Sequence, residues 1–474
     1  MPPYPLKSCV ASASCRGIVA TEDLLISGGD ARLFLDPATG ANRYGCPPRP
    51  VPGVLDFASA TASLISPRGF AAADALRRRM ASNPAAQGRE MQRIREEIPE
   101  LLGLRDVAGL ATLLAPSGTD LHALAVLPQE RAGLTVIMAE HGETGSGVPA
   151  ALAGLPLRLA HPKRRGVELR TIPIRQADGT PRAAECVDRE FELAARLAQA
   201  EGREVLVVVL DVSKTGLTAP SPGMALELME NPRLRVLVDA CQTRLASATM
   251  AGWLNAGAML AVTGSKFLGG PSFSGALLVP AGLASHFADR PFGPANRGLL
   301  LRWEAALTEL RAFRILPEAG VTAILQEFGA YMAGRLVGEN LIEPLPGLAA
   351  DRSVLATPVS WDAFHSIFAL RLRAPSGEPL VFDAVAKLHR LLRQDLSVLL
   401  GEPAAAMPVH LAQPVACGGV DGQRSAALRL CLSARQLVEA METGGAGVLM
   451  RQADIILEKL VLILRRWPDL AEVP

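Results

Sequence analysis

Six short apolar stretches between residues 110 and 280 limit the fold more than any other feature of the chain. They are LATLLA (110–115), LTVIMAE (134–140), EVLVVVLDV (204–212), RVLVDA (235–240), AMLAVTG (258–264) and GALLVP (275–280). Each is too short to make a buried helix, and each is a nearly unbroken run rich in Val, Leu or Ala. A strand covered on one face alternates apolar with polar residues, whereas a strand covered on both faces reads as a continuous run. Helical stretches such as TDLHALAVL lie between the runs. The pattern predicts an α/β fold with a mostly parallel sheet.

The flanks read differently. Residues 1–75 are rich in Gly, Pro and Ser with little period, which predicts an arm and loop region with short strands. Arg43, Ser59 and Thr61 are candidates there for lining a pocket or for plain loop chemistry. Residues 298–340 hold two long helical patterns, LLLRWEAALTELRAF and AILQEFGAYMAGRLV, that bridge to a second domain. Beyond residue 350 come a strand (FHSIFALRLRA), a helix (FDAVAKLHRLLRQDLSVLL), a strand (AALRLCLS) and two helices. The expected division is an N-terminal arm (1–75), a large α/β domain (76–315) and a smaller α+β domain (316–474). A chain of 474 residues with 49% hydrophobic content has ample material for such cores.

Composition narrows the function. A net charge of +1 and an aromatic content of 4% argue against a nucleic-acid surface. The stretch IILEKLVLIL (455–464) is broken by Glu458 and Lys459 and reads as a core helix, so no membrane partner is expected. The seven cysteines are odd in number and lack metal-ligand spacing, which predicts reduced thiols in a cytoplasmic protein and no metal site. The opening MPPYPLKSCVASASC has no apolar segment of the signal-peptide kind. Small-molecule chemistry or protein partners remain.

In open α/β sheets ligands bind beyond the carboxyl ends of the strands, and the polar residues collect there. The first run ends in Ser117-Gly118-Thr119 and opens a helix, a place where backbone N–H groups can hold a phosphate. The fourth ends in Asp239-Ala-Cys-Gln242; Asp239 is either a helix cap or a carboxylate kept for a ligand. The fifth ends in Thr263-Gly-Ser-Lys266, and a lysine among small residues is a candidate nucleophile toward a carbonyl. An anion cradle, a carboxylate, an amide and an amine together suit pyridoxal 5'-phosphate. That cofactor needs its phosphate held, its ring nitrogen kept protonated and its aldehyde bound to a lysine.

These segments resemble the class V aminotransferase and cysteine desulfurase group of fold-type-I pyridoxal-phosphate enzymes, over roughly residues 105–310 and more loosely over 400–440. The resemblance of SGTD (117–120) to the family's phosphate turn implies that Gly118 and Thr119 hold the phosphate. The likeness of VDACQ (238–242) to V-D-x-x-Q implies Asp239 on the ring nitrogen and Gln242 on the 3-hydroxyl. TGSK (263–266) resembles S-x-H-K, which implies an internal aldimine on Lys266 and a phosphate contact from Thr263; Ser265 stands where the family has His. Ser213, in VVVLDVSKTGLTAPS, falls where an Asn usually touches the 3-hydroxyl oxygen. The ring-stacking residue implied after the second run is His141, with Glu143 as its rival. FGPANRGLLLRWEAAL (292–307) resembles the loop that reaches the neighbouring subunit's phosphate, which implies a homodimer; Pro294 replaces the usual Thr and Asn296 or backbone N–H groups take its place. LRLCLS (428–433) resembles the strand whose arginine, here Arg429, clamps the substrate carboxylate with two hydrogen bonds. HLAQPV (410–415) has Leu411 where desulfurases carry their persulfide cysteine, and Cys417 lies near. The expected activity is that of a pyridoxal-phosphate enzyme acting on an amino acid through a Cα carbanion, of aminotransferase or lyase type. The alternatives are a cysteine desulfurase or selenocysteine lyase, and a non-catalytic partner protein.

Overall fold

The computed structural model describes residues 19–83, 85–126, 133–153, 166–287, 296–347, 350–358, 360–420 and 423–470. All six apolar runs are strands, and they belong to one sheet of seven. In chain order the twelve strands are β1 (Leu55–Phe57), β2 (Ala111–Ala115), β3 (Leu134–Ala139), β4 (Val167–Ile172), β5 (Glu204–Leu210), β6 (Leu234–Asp239), β7 (Met259–Thr263), β8 (Gly275–Val279), β9 (Ile342–Pro344), β10 (Ile367–Leu372), β11 (Val409–Val420) and β12 (Gln423–Cys431). The large sheet has the order β2-β8-β7-β6-β5-β3-β4. The pairs from β7 through β4 are parallel, and β8 runs antiparallel to both β2 and β7.

The continuous apolar runs have the predicted cause. Val205, Val207 and Val209 of β5 point into one core, and Leu206 and Val208 into another on the opposite face. The first core is closed by helices carrying Trp253 and Trp303, the second by the helices Gly118–Val126 and Val148–Leu152. Each such buried Val or Leu contributes about 1.5–3 kcal/mol. The large sheet therefore has no solvated face over these strands, and its polar residues gather at the strand ends.

The smaller sheet has the order β1-β11-β12-β10-β9. Its first strand comes from the N-terminal segment: Leu55–Phe57 pairs in parallel with Val409–Leu411. Four elements went unseen in the sequence. The strand β4 is half exposed, so VELRTI shows no apolar run. The twelve residues of β11 include Pro414 and two register shifts, which break any period of two. The helices Pro67–Ser82 and Ala86–Leu101 carry polar faces, and the first begins at a Ser66 cap that accepts from the Gly69 N–H. The long helices expected after residue 298 are Arg297–Arg314 and Glu318–Arg335. Gly298 allows the first to start where it does, because a Cβ there would lie 2.3 Å from the Leu24 carbonyl oxygen. Among the described residues no helix is long and apolar enough to cross a membrane.

Candidate active site

The ends of β2, β6 and β7 meet at one cavity of about 410 Å3. Its walls include Ser117, Gly118, Thr119, Asp239, Thr263 and Lys266, so the strand-end residues singled out in the sequence do converge. Thr61 and Arg43 from the N-terminal segment and Arg429 from β12 also line it, while Ser59 instead bonds the Arg244 guanidinium elsewhere.

The turn after β2 places the N–H groups of Gly118 and Thr119 at the first turn of the helix Gly118–Val126, where no carbonyl lies behind them. Asp120 takes the Ser117 N–H at 3.0 Å and its hydroxyl at 2.7 Å, which ties the turn down. A side chain at residue 118 would put its Cβ 2.8 Å from Cys241 Sγ, so the turn needs glycine for close approach. The Thr263 hydroxyl donates to the Cys241 carbonyl at 2.7 Å. Ser272 Oγ also lines the cavity; it is buried and has no hydrogen-bond partner among the described residues.

Asp239 is buried at the end of β6 and accepts from the Cys241 N–H and the Thr144 hydroxyl, both at 3.2 Å. Its Oδ2 lies 3.2 Å from His122 Nε2, and His122 Nδ1 lies 2.7 Å from the Gly118 carbonyl oxygen. Burial alone would push the Asp239 carboxyl up. The charges of His122 and Lys266 and the Cys241 N–H outweigh it and hold the group well below the usual carboxylate range. His122 responds in the opposite sense: burial lowers its pKa, and the Asp239 carboxylate more than restores it, so the imidazole ends above its ordinary value. Lys266 is half buried in the turn after β7, and its backbone carbonyl accepts from the Ser63 hydroxyl at 3.2 Å.

Four expected residues do not line the cavity. His141, expected to stack on the ring, is exposed in the turn after β3 and does not line the cavity. Its rival Glu143 is buried in a network, bonded to Arg175 and to the hydroxyls of Ser213 and Thr215, both at 2.8 Å. Ser213 is spent on that network and lies behind the wall. Gln242 is buried and donates to the Ala60 carbonyl at 3.1 Å, with its Oε1 unpartnered. Asn296 caps the helix Arg297–Arg314, accepting from the Leu299 N–H at 3.0 Å and donating to the Gly28 carbonyl at 2.5 Å. Pro294 lies outside the described residues.

Arg429 is buried and reaches the cavity, but its guanidinium is largely occupied. Nε and Nη2 donate to the Gln413 carbonyl, Nη2 to Thr61 Oγ1 at 2.8 Å and Nη1 to the Lys214 carbonyl at 3.1 Å. Of five N–H donors one is left. The two-bond clamp expected of Arg429 is therefore not available in this arrangement. Cys417 is buried beside β12 and away from the cavity wall, and burial pushes its thiol up, so it is no poised thiolate. Cys241 does line the cavity, but burial and Asp239 raise its pKa far above that of a free thiol.

Among the cavity residues that escaped the sequence reading are Arg32, His122, Ser272 and Lys214. His122 had a signal, being four residues past Gly118 on an otherwise apolar helix and so on the same face. Lys214 had one too, since it follows the carboxyl end of β5 beside Ser213. Ser272 had none.

No protein-family model and no curated protein matches the chain. Solved structures do. A NifS-like protein from Rickettsia africae is 13% identical with a TM-score of 0.52, over 85% of this chain and 99% of its own. The Oryza sativa protein TDC, solved with PLP, is 14% identical with a TM-score of 0.51, over 86% of this chain and 84% of its own. A cysteine desulfurase, CsdA from Escherichia coli, is 14% identical with a TM-score of 0.50, over 85% and 94%. At such identities the likeness is one of architecture: this chain has the fold-type-I architecture of the pyridoxal-phosphate-dependent enzymes.

Proposed function

We propose that the chain is a pyridoxal-5'-phosphate-dependent enzyme acting on an amino acid. One observation carries the reading: Lys266 and the ionised Asp239 face a single cavity whose far end is the Ser117–Thr119 turn. The donor set fits the cofactor. The Gly118 and Thr119 N–H groups and the unpartnered Ser272 hydroxyl suit a phosphate. A carboxylate that stays ionised suits a protonated ring nitrogen. The volume of about 410 Å3 lies within the range of small-ligand sites.

When bound, the cofactor supplies an electron sink for charge developing at the substrate Cα. The chain supplies the rest. Lys266 Nζ would hold the cofactor's aldehyde group and would be the amine available to move a proton at the substrate Cα. Asp239 would keep a proton on the ring nitrogen, and His122 and Thr144 keep Asp239 oriented. Arg429 offers one N–H to the substrate carboxylate. Transferase and lyase outcomes both begin in this way. A cytoplasmic homodimer in which Asn296 reaches the neighbouring site belongs to the same reading, as does the three-part division at residues 75 and 315.

The test is the absorbance spectrum of the purified protein with added cofactor, before and after borohydride, beside Lys266→Ala. A long-wavelength band that borohydride removes and the variant lacks is expected. A wild type that stays colourless overturns the reading.

A further inference from the structure

Charge along the cavity wall is one-sided. Among the described residues five Lys and Arg side chains line it, Arg32, Arg43, Lys214, Lys266 and Arg429, besides the His122 imidazole that adjoins Asp239. One carboxylate, Asp239, faces them. Arg32 sits at the Ser117 end, paired with Asp30 at 2.7 Å, and serves the phosphate side. Lys266 and Asp239 are used by the cofactor. Arg43 is exposed and screened by water. Two cations remain, Lys214 and Arg429: the Arg429 guanidinium donates to the Lys214 backbone carbonyl at 3.1 Å, and its charge bears on the Lys214 ammonium. The Lys214 ammonium donates to the Gly142 carbonyl at 3.3 Å, which uses one of its three hydrogens. The nearest acid behind it, Glu143, is committed to Arg175, Ser213 and Thr215.

Two like charges that bear on each other from a half-buried and a buried side chain are unfavourable until anions join them. One carboxylate would compensate one of the two. We propose that Lys214 and Arg429 form a two-point anion clamp, and that the substrate is an amino acid whose side chain carries a second anionic group. The substrate class rests on the cofactor reading above; the clamp does not. Burial and the neighbouring Arg429 and Lys266 charges lower the Lys214 pKa to about 8, which agrees with a cation still waiting for its counterion.

The experiment is calorimetric titration of the protein, saturated with pyridoxal phosphate, with succinate and with butyrate. Butyrate replaces one carboxylate of succinate by a methyl group. Wild type should bind succinate about ten- to a hundredfold more tightly, the worth of one charge-assisted contact. Lys214→Gln should bring the two ligands within about threefold of each other, and Lys214→Arg should keep the preference. Should Lys214→Gln fail to fold, the wild-type preference and its retention in Lys214→Arg decide. Equal binding of both ligands by wild type overturns the clamp. So does a Lys214→Gln that weakens both ligands alike, because Lys214 then helps Arg429 hold one carboxylate. A protein without the cofactor band that still prefers succinate refutes the proposed function and leaves the clamp standing. A protein with the band and no preference does the reverse.

Discussion

Gly118→Ala tests whether the phosphate turn is held by close packing. An added Cβ would lie 2.8 Å from Cys241 Sγ, about 1 Å inside ordinary contact. Cys241 cannot retreat easily: it is buried, its N–H bonds Asp239 Oδ1 at 3.2 Å, and its carbonyl accepts from Thr263 at 2.7 Å. Overpacking of this kind costs about 1–3 kcal/mol. Ala is favoured over Gly in a helical turn by up to about 1 kcal/mol, which leaves a net loss of about 1–2 kcal/mol. Cys241→Ala alone removes a buried sulfur and costs about 1–2 kcal/mol. If the clash is the cause, the double variant has room for the new methyl, and the two losses do not add. The expected coupling is about 1–2 kcal/mol, read as midpoints of reversible urea unfolding in all four proteins. Cofactor affinity should fall about tenfold in Gly118→Ala and recover in the double variant, since 1.4 kcal/mol of displaced turn is a factor of ten. Additivity within about 0.5 kcal/mol would refute the packing argument.

Three further outcomes follow from the same geometry. In Asp239→Asn the His122 imidazole loses the carboxylate that holds it up, burial prevails, and its NMR titration should move from above to below the ordinary value of about 6.5; an unmoved titration would show that Asp239 is not its partner. Succinate affinity should fall as pH rises through about 8, because Lys214 is charged below that value and neutral above it; a flat profile between about pH 7 and 9 removes Lys214 as the anion's partner. Gly298→Ala would bring a Cβ to 2.3 Å and 2.6 Å from the Leu24 and Ser27 carbonyl oxygens, and should lower the urea midpoint by the equivalent of about 3 kcal/mol; an unchanged midpoint contradicts that close contact.

The site was legible where it follows from strand order. Asp239 and Thr263 end the strands β6 and β7, and Ser117–Thr119 and Lys266 follow β2 and β7 by two to four residues; the apolar character of these runs is unmistakable, and strand ends of a parallel sheet lie on one side by construction. His141 and Ser213 also follow strands, yet a loop residue's direction is set by what the loop packs on. Here Glu143, two residues from His141, is drawn inward by Arg175 and leaves His141 outside. Arg429 was found on its strand, but its occupancy by Gln413, Thr61 and Lys214 depends on segments 16, 368 and 215 residues away.

The sequence by itself determined the sheet, its burial on both faces and the chemical types available at its ends, because those depend on periodicity along a single segment. Tertiary structure alone decided which of those groups are charged and which face the ligand. The ionisation of Asp239 is set by His122 from another element and by Lys266 from a third, and the surplus of positive charge at Lys214 arises only when the ends of β5 and β7 and the strand β12 are brought together. Such energies act through space at a few ångströms, so no reading along the chain contains them.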